Sequence, residues 1–378
     1  MDIDNLDDMD LHQLMIEKLS GIIRPEDERL LEQLILEDQE VRRQWEELQR
    51  TFPAPDTLQY DLLESWEKVS GNARRSQRRR RVLRISAAAL LAGILAGGFF
   101  FIRPTHKQPV AVNTTLPGGL QLQLAGGQVI DLSKARATDA GKVRLANNPA
   151  ARTLSYTDNG AGASMNKLWV PPGLDYTLKL SDGSEIIINS ATEIYFPFRF
   201  GDSARIIRIK GEVYCKIARD DARPFIVELP DGAQVQVLGT TFNINTYEQG
   251  NQKVSLVDGA VALKSTSKKV VLRPGLQGSY AAGQDDMTVH PFDPDELAWI
   301  NGQYMLDNAP ISELATLIPR WFNTPVHLDN PEQAASKHFT GIVFKNRPLN
   351  ELLDILRSAA NCECYYKEGV LHISLHTK

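Results

Sequence analysis

The sequence predicts a multidomain chain with four parts: a small all-α cytoplasmic bundle, one transmembrane helix, an all-β periplasmic domain, and a C-terminal α+β domain with duplicated βαβ halves. Three observations predict it. Residues 85–102 carry no charge, residues 168–280 contain many short β-prone runs, and a seven-residue pattern near the C-terminus occurs twice. At 378 residues with 42% hydrophobic content, the chain can form several separate cores.

The expected boundaries follow from these changes of character. They are 1–72 for the helical domain, 73–84 for a basic juxtamembrane segment, 85–102 for the transmembrane helix, 103–166 for a periplasmic linker and β segment, 167–285 for the β domain, and 297–378 for the C-terminal module.

The N-terminal domain is acidic and helical. Residues 1–70 hold 19 acidic against 7 basic residues, a net charge of −12. Apolar spacing predicts a helix that ends near Ser20, a second that begins at Pro25, a third with Trp45 and Leu48, and a fourth with Trp66. Most apolar residues here belong to a core, but tryptophans are enriched at interfaces. The acidic surface either covers a basic partner or only keeps the domain soluble.

The uncharged segment 85–102 fits a membrane crossing, because a helix of this length spans about 27 Å, close to the hydrocarbon thickness of a bilayer. A cleaved signal peptide would lie near Met1 instead. Seven arginines between 74 and 84 precede the segment, whereas only Arg103 and Lys107 follow it closely. The positive-inside rule therefore places the N-terminus in the cytoplasm and everything after about Pro104 outside it.

Turn signals punctuate the predicted β domain. Asp182-Gly183, Asp231-Gly232 and Asp258-Gly259 each separate two β-prone runs, as tight turns with positive φ require. Short strands at such regular spacing predict a sandwich, a barrel or a short β-solenoid.

The residues do not predict an enzyme, a metal site or a cofactor. Cys215, Cys362 and Cys364 lack the paired spacing of a zinc site, and their odd number argues against a disulfide framework. The seven histidines are scattered, and no hydrolase elbow, zinc-protease motif or phosphate loop occurs.

Several ordered blocks carry a family resemblance. LSDGSEIIINSATEI, RIIRIKGEVYCKIARDDARPFIV, VQVLGTTFNINTYE and VSLVDGAVAL, followed by LRPGLQGSY, resemble successive blocks of the FecR family of transmembrane anti-sigma regulators over residues 167–280. PEDERLLEQLI and VRRQWEEL resemble the N-terminal domain of the Bacteroidetes type. One departure is Cys215, which stands where the family usually has Phe.

The resemblance implies a single-pass protein of the bacterial inner membrane whose cytoplasmic bundle holds an extracytoplasmic-function sigma factor. Trp45, Leu48 and Trp66 are then the candidate contacts with that factor. The implied periplasmic partner is a TonB-dependent outer-membrane receptor, and an intramembrane protease would act in the release. Direct nucleic-acid binding is not implied. Some similar regulators are thought to cleave themselves in the block that matches Gly239-Thr240, although this dipeptide also fits a simple strand kink.

The C-terminal segment contains a duplication. Asn308-Ala-Pro-Ile-Ser-Glu-Leu returns as Asn346-Arg-Pro-Leu-Asn-Glu-Leu, at an offset of 38 residues. Each copy predicts a β run, a helix that begins at a proline, and a further β run. The segment resembles the short N-terminal domain of secretins and TonB-dependent receptors, so Asn308, Pro310, Asn346 and Pro348 mark a candidate receptor-pairing module that would act by edge-strand addition.

A different class of function remains open from the residues. The chain would then be a bitopic envelope protein whose β domain binds glycan or peptidoglycan and whose acidic domain is only a soluble cap.

Overall fold

The computed structural model describes residues 8–20, 23–52, 119–134, 137–160, 162–265, 268–284 and 286–375. The predicted fourth helix with Trp66, the arginine run and the predicted transmembrane segment 85–102 lie outside the described residues. Within the described part of the chain, no helix is both long and apolar enough to cross a bilayer.

Three helices form the N-terminal region: α1 (Asp8–Ser20), α2 (Pro25–Glu37) and α3 (Gln39–Thr51). The predicted end at Ser20 and the predicted start at Pro25 are confirmed. Asp38 caps α3, because its Oδ1 accepts hydrogen bonds from the backbone N–H groups of Glu40 at 2.7 Å and Val41 at 3.3 Å. A polar cap between two helices therefore fixes the turn of the bundle.

The described part of the β domain consists of short strands joined by tight turns. The strands are β1 (Gln121–Gln123), β2 (Val129–Asp131), β3 (Ala137–Ala140), β4 (Val143–Asn148), β5 (Thr153–Asp158), β6 (Met165–Val170), β7 (Tyr176–Lys179), β8 (Glu185–Ile188), β9 (Thr192–Pro197), β10 (Arg205–Lys210), β11 (Glu212–Lys216), β12 (Phe225–Glu228), β13 (Gln234–Val237), β14 (Thr241–Asn245), β15 (Gln252–Asp258), β16 (Val261–Lys264), β17 (Lys269–Leu272), β18 (Leu276–Tyr280) and β19 (Met287–Pro291). The predicted Asp-Gly turns are confirmed, since Gly183, Gly232 and Gly259 have φ values of 87°, 88° and 90°.

These strands form two sheets. The first has the order β2-β1-β6-β9-β10-β12-β13-β16-β17, and the second has the order β3-β4-β5-β7-β8-β11-β14-β15-β18-β19. The sheets share one apolar core. Across it, the ring of Tyr156 in the second sheet lies 5.9 Å from that of Phe196 and 4.9 Å from that of Phe198. The domain is therefore a two-layer sandwich, and it includes strands well before residue 167.

The helical bundle packs on one end of this sandwich. Residues of α1 contact β17 and β19, and the Gln13 side chain donates a hydrogen bond to the carbonyl oxygen of Val289 at 3.4 Å. Gly275 leaves room for the ring of Phe52, because a Cβ there would lie 2.7 Å from that ring. The apolar face of α1 and the end of α3 are thus covered by the β domain.

The C-terminal module (residues 294–375) alternates strands and helices. It contains a 3-10 helix (Pro294–Asn301), β20 (Gln303–Pro310), a second 3-10 helix (Ile311–Glu313), α4 (Leu314–Phe322), β21 (Val326–Leu328), α5 (Pro331–Ser336), β22 (His338–Phe344), α6 (Leu349–Ala359), β23 (Cys362–Lys367) and β24 (Val370–Leu375).

The duplicated order of strand, helix after a proline, and strand is confirmed in both copies, but the predicted βαβ halves are not separate units. The first strands of the two copies pair with each other, β20 antiparallel to β22. The second strands, β21 and β23, instead flank β24, which is parallel to β21 and antiparallel to β23. Because β24 has no counterpart in the duplication, the repeat alone could not predict this pairing.

Candidate functional site

The helical bundle presents an acidic surface, and several of its cations are paired with carboxylates. Lys18 lies 2.9 Å from Glu28 and 2.7 Å from Glu32, and Arg24 lies 2.7 Å from Asp27. Each ion pair neutralises one cation and one carboxylate. Because carboxylates outnumber cations in the bundle, the unpaired carboxylates give it a negative field that can attract a basic surface.

The candidate contact residues of the bundle differ in exposure. Trp45 is half-buried and packs against the apolar core, whereas Leu48 is only 6% exposed. Trp66 lies outside the described residues. Leu36, which the sequence reasoning did not select, is 74% exposed. It lies off the apolar stripe that includes Leu31 and Ile35, so helical periodicity was itself a signal that it faces solvent.

Glu212 forms a buried polar centre where the sandwich meets the C-terminal module. Its carboxylate accepts hydrogen bonds from the side-chain amides of Asn189 at 2.7 Å, Asn243 at 3.2 Å and Asn245 at 3.0 Å. Burial raises the pKa of Glu212, and the charge of Arg320 and the three amides only partly oppose that effect. An amide cage around a carboxylate was not predicted, because its members are far apart in the sequence.

A cavity of about 280 Å³ opens beside Glu212 between the sandwich and the module. It is lined by six carboxylates and one lysine, together with polar and aromatic residues: Glu212, Asn243, Asn245, Lys253, Asp293, Asp295, Glu296, Trp299, Gln303, Tyr304, Met305, Asp307, Ala309 and Glu313. The Oδ1 atom of Asn243 is buried and has no hydrogen-bond partner. The cavity can therefore accept a polar or cationic group.

The module is held to the sandwich by polar contacts as well as by apolar packing. Lys345, almost fully buried, lies 2.9 Å from Asp175, and the backbone N–H of Gly173 donates to the carbonyl oxygen of Arg320 at 2.9 Å. Burial lowers the pKa of Lys345, although Asp175 opposes this. On the apolar side, Ile187 and Tyr214 of the sandwich pack on the core of the module.

Two of the four residues that marked the candidate receptor-pairing module lie near the end of β20, and the other two lie in the connection before α6. Asn308 is exposed at an irregularity in the β20–β22 pairing, with a φ of 44°, and its backbone N–H donates to Thr340 Oγ1 at 3.0 Å. Pro310 precedes the 3-10 helix, while Asn346 and Pro348 are exposed just before α6. They shape the two connections of the module rather than forming one cluster of contacts.

Exposed apolar side chains are concentrated in the same module. Of the six large hydrophobic residues that are exposed in the described part of the chain, four lie here: Ile342, Ile355, Tyr365 and Tyr366. The two tyrosines lie on β23, which pairs on one side only. An edge strand with exposed aromatic residues is a ready template for another strand.

Gly239-Thr240 lies just before β14, in the sandwich. Thr240 is 4% exposed, and its hydroxyl donates a hydrogen bond to the carbonyl oxygen of Ala260 at 3.0 Å. A Cβ on Gly239 would lie 2.6 Å from the Cα of Arg219. Close backbone approach therefore accounts for the glycine.

The three cysteines are buried and free. Cys215 lies in the core of the sandwich, where burial raises the pKa of its thiol strongly. Cys362 donates a hydrogen bond to the carbonyl oxygen of Leu356 at 3.1 Å. Cys215 packs in the core of the sandwich, and Cys362 and Cys364 pack in the core of the C-terminal module.

Comparisons with known proteins agree with this architecture. The chain matches the FecR protein family over residues 166–262 and the FecR C-terminal family over residues 303–373. Two crystal structures of a candidate anti-sigma factor from Parabacteroides distasonis ATCC 8503 are similar to 56% of this chain at 23% identity. Their TM-scores are 0.51 and 0.50, with 100% and 99% of those chains covered. This likeness concerns the fold. The search of curated proteins gave no match.

Proposed function

Because this chain belongs to the FecR family, with both its FecR domain and its C-terminal domain, we propose that it is a transmembrane anti-sigma factor. It holds an extracytoplasmic-function sigma factor in the cytoplasm and releases it on a signal from a TonB-dependent outer-membrane receptor. The observation that carries the proposal is an acidic helical bundle on the same chain as the two family domains.

The bundle provides the sigma-factor site. Sigma factors bind promoter DNA through basic surfaces, so a domain with a net charge of −12 over residues 1–70 attracts such a surface and covers it. Of the three candidate contacts, Trp45 is the accessible apolar anchor, Leu48 supports it from the core at 6% exposure, and Trp66 lies outside the described residues.

The proposed membrane crossing at residues 85–102 would expose an apolar face of the bundle that a partner can cover. Insertion there would place the bundle and the sandwich on opposite sides of the bilayer, so the contacts of α1 with β19 and of Phe52 with Gly275 would be lost on insertion. The apolar face that those residues present is then open in the cytoplasm. We assign it to the sigma factor, which would replace one apolar cover with another.

The C-terminal module provides the receptor site in the periplasm. The free edge of β23, with Tyr365 and Tyr366 exposed, suits pairing with a strand of the receptor. Release of the sigma factor then requires cleavage of the chain near the membrane by an intramembrane protease.

The full chain in detergent is the reagent that tests the proposal. It should capture an extracytoplasmic-function sigma factor of the same cell, and binding should weaken as salt is raised because surface charges are screened. Trp45→Ala should weaken capture about tenfold or more, in line with the loss of a tryptophan hot spot. Gln49→Ala, at an exposed position of the same helix, is the matched control and should bind normally. Absence of capture at low salt would refute the anti-sigma proposal.

The cavity beside Glu212 favours a second candidate function. Carboxylates, amides and Tyr304 line a space of about 280 Å³, a lining suited to a glycan ligand of a bitopic envelope protein. Sedimentation of the full chain with purified peptidoglycan, abolished by Asp307→Ala in the cavity wall, would support this reading. Equal sedimentation of wild type and Asp307→Ala would show that the cavity does not bind peptidoglycan.

A further inference from the structure

Three side chains lie in a row on the outer face of the three-stranded sheet of the C-terminal module. The parallel pairing of β21 and β24 sets His327 opposite His372, and the antiparallel pairing of β23 and β24 sets Tyr365 opposite His372. Asp329 lies directly after β21, and its carboxylate contacts His372 on the same face. Strand pairing thus brings together residues that are up to 45 positions apart in the sequence.

The potential ligand atoms of this group are close together. His372 Nδ1 lies 2.7 Å from Asp329 Oδ1, and His327 Nε2 lies 3.8 Å from the same oxygen. All three atoms lie within 4.8 Å of one another. Two ligands at about 2.1 Å from one tetrahedral zinc ion are roughly 3.4 Å apart, so the two distances to Asp329 Oδ1 lie on either side of the value that a zinc site requires.

Tyr365 holds the carboxylate and one imidazole in place. Its hydroxyl donates to Asp329 Oδ2 at 2.8 Å, which leaves Oδ1 directed at the histidines. Its ring stacks on His372, with centroids 5.0 Å apart and an angle of 16° between the planes. Such outer contacts are what orient the ligands of real metal sites.

We propose that His327, Asp329 and His372 bind a divalent transition metal ion of the zinc type. Two imidazoles and one carboxylate match the ligands of zinc sites, whereas calcium and magnesium prefer oxygen ligands alone. The His327 side chain is 61% exposed, so the remaining coordination position faces solvent. The ion would join the edge strand β21 to its neighbour β24 by bonds additional to the backbone ladder.

The test is a titration of the full chain, purified in detergent without a histidine tag and treated with a chelator, with Zn²⁺ against a chromophoric competitor. Wild type should bind one equivalent. His327→Ala and His372→Ala should each weaken that binding by about tenfold or more, and Tyr365→Phe should weaken it less, as outer-contact losses do. His338→Ala is the control, because His338 is exposed on β22 and outside the group.

Two results would overturn the proposal. His327 is exposed, so His327→Ala should fold normally, and unchanged zinc affinity of that folded variant would place the ion elsewhere. Co²⁺ distinguishes the nearby thiols: the proposed site gives visible ligand-field bands without a thiolate charge-transfer band. A thiolate band that disappears in Cys362→Ser/Cys364→Ser would assign the ion to the cysteines instead.

Discussion

Arg205 and Asp182 form an ion pair inside the β domain, with Nη1 and Oδ2 2.7 Å apart and side-chain exposures of 0% and 6%. Arg205 belongs to β10 of the first sheet, whereas Asp182 lies in the turn between β7 and β8 of the second. The guanidinium also donates to the carbonyl oxygens of Ala218, Arg223 and Leu238. One side chain therefore ties the two layers together.

Asp182→Asn should lower the free energy of unfolding by about 3–5 kcal/mol, because it leaves the guanidinium buried without its counter-ion. Asparagine keeps an acceptor for Ser184, so the turn itself survives. Thermal unfolding of the full chain, followed by near-UV circular dichroism, measures the effect.

Asp221→Asn is the matched control for that variant. It breaks the pair of Asp221 with Arg219, whose side chains are 60% and 62% exposed, and should cost less than about 1 kcal/mol. Equal costs for the two variants would show that burial does not decide the strength of the Arg205 pair.

Glu212 should make the β domain less stable as the pH rises. Its pKa in the folded chain is raised above 4.5, so the folded state holds a proton that the unfolded state has already lost. The contribution of Glu212 to stability is therefore fully present below pH 4.5 and is lost as the pH rises through the raised pKa. Glu212→Gln lacks this titration, so its stability relative to wild type should increase with pH; a constant difference across the range would contradict the assignment.

Gly239→Ala should destabilise the sandwich by about 1–3 kcal/mol or more, as forced overpacking does, because the new Cβ meets the backbone of Arg219 at 2.6 Å. Gly250→Ala is the control, since its Cβ would meet nothing within 4 Å. Urea unfolding compares the two variants. Electrophoresis of the same samples also reports on the self-cleavage hypothesis, because fragments ending at Gly239 would appear in wild type and disappear in Thr240→Ala.

Leu36→Cys and Val129→Cys test the proposed topology. Both side chains are exposed, at 74% and 52%, and the native cysteines are buried. In intact spheroplasts, a membrane-impermeant maleimide should label Cys at 129 and leave Cys at 36 unlabelled until the membrane is permeabilised. Labelling of both before permeabilisation would place bundle and sandwich on the same side.

Local patterns in the sequence predicted the elements better than their partners. The start of the second helix at Pro25 and the turn at Gly183 were predictable, because one local residue determines each of these features. The pairing of β20 with β22 was not, since both copies of the repeat carry the same pattern and the pattern does not say which strands join. The Glu212 cage and the His327–His372 pair were missed for the same reason: each depends on register between strands remote in sequence.

The order of strands in the two sheets has a consequence for how the chain can fold as it emerges. In both sheets every strand joins the free edge left by strands that precede it, and none is inserted between two that are already paired. Assembly can therefore proceed vectorially, from β1 towards β19, at the pace at which the polypeptide is delivered. Each newly delivered strand also covers the edge that would otherwise attract a foreign one, which limits aggregation during biogenesis.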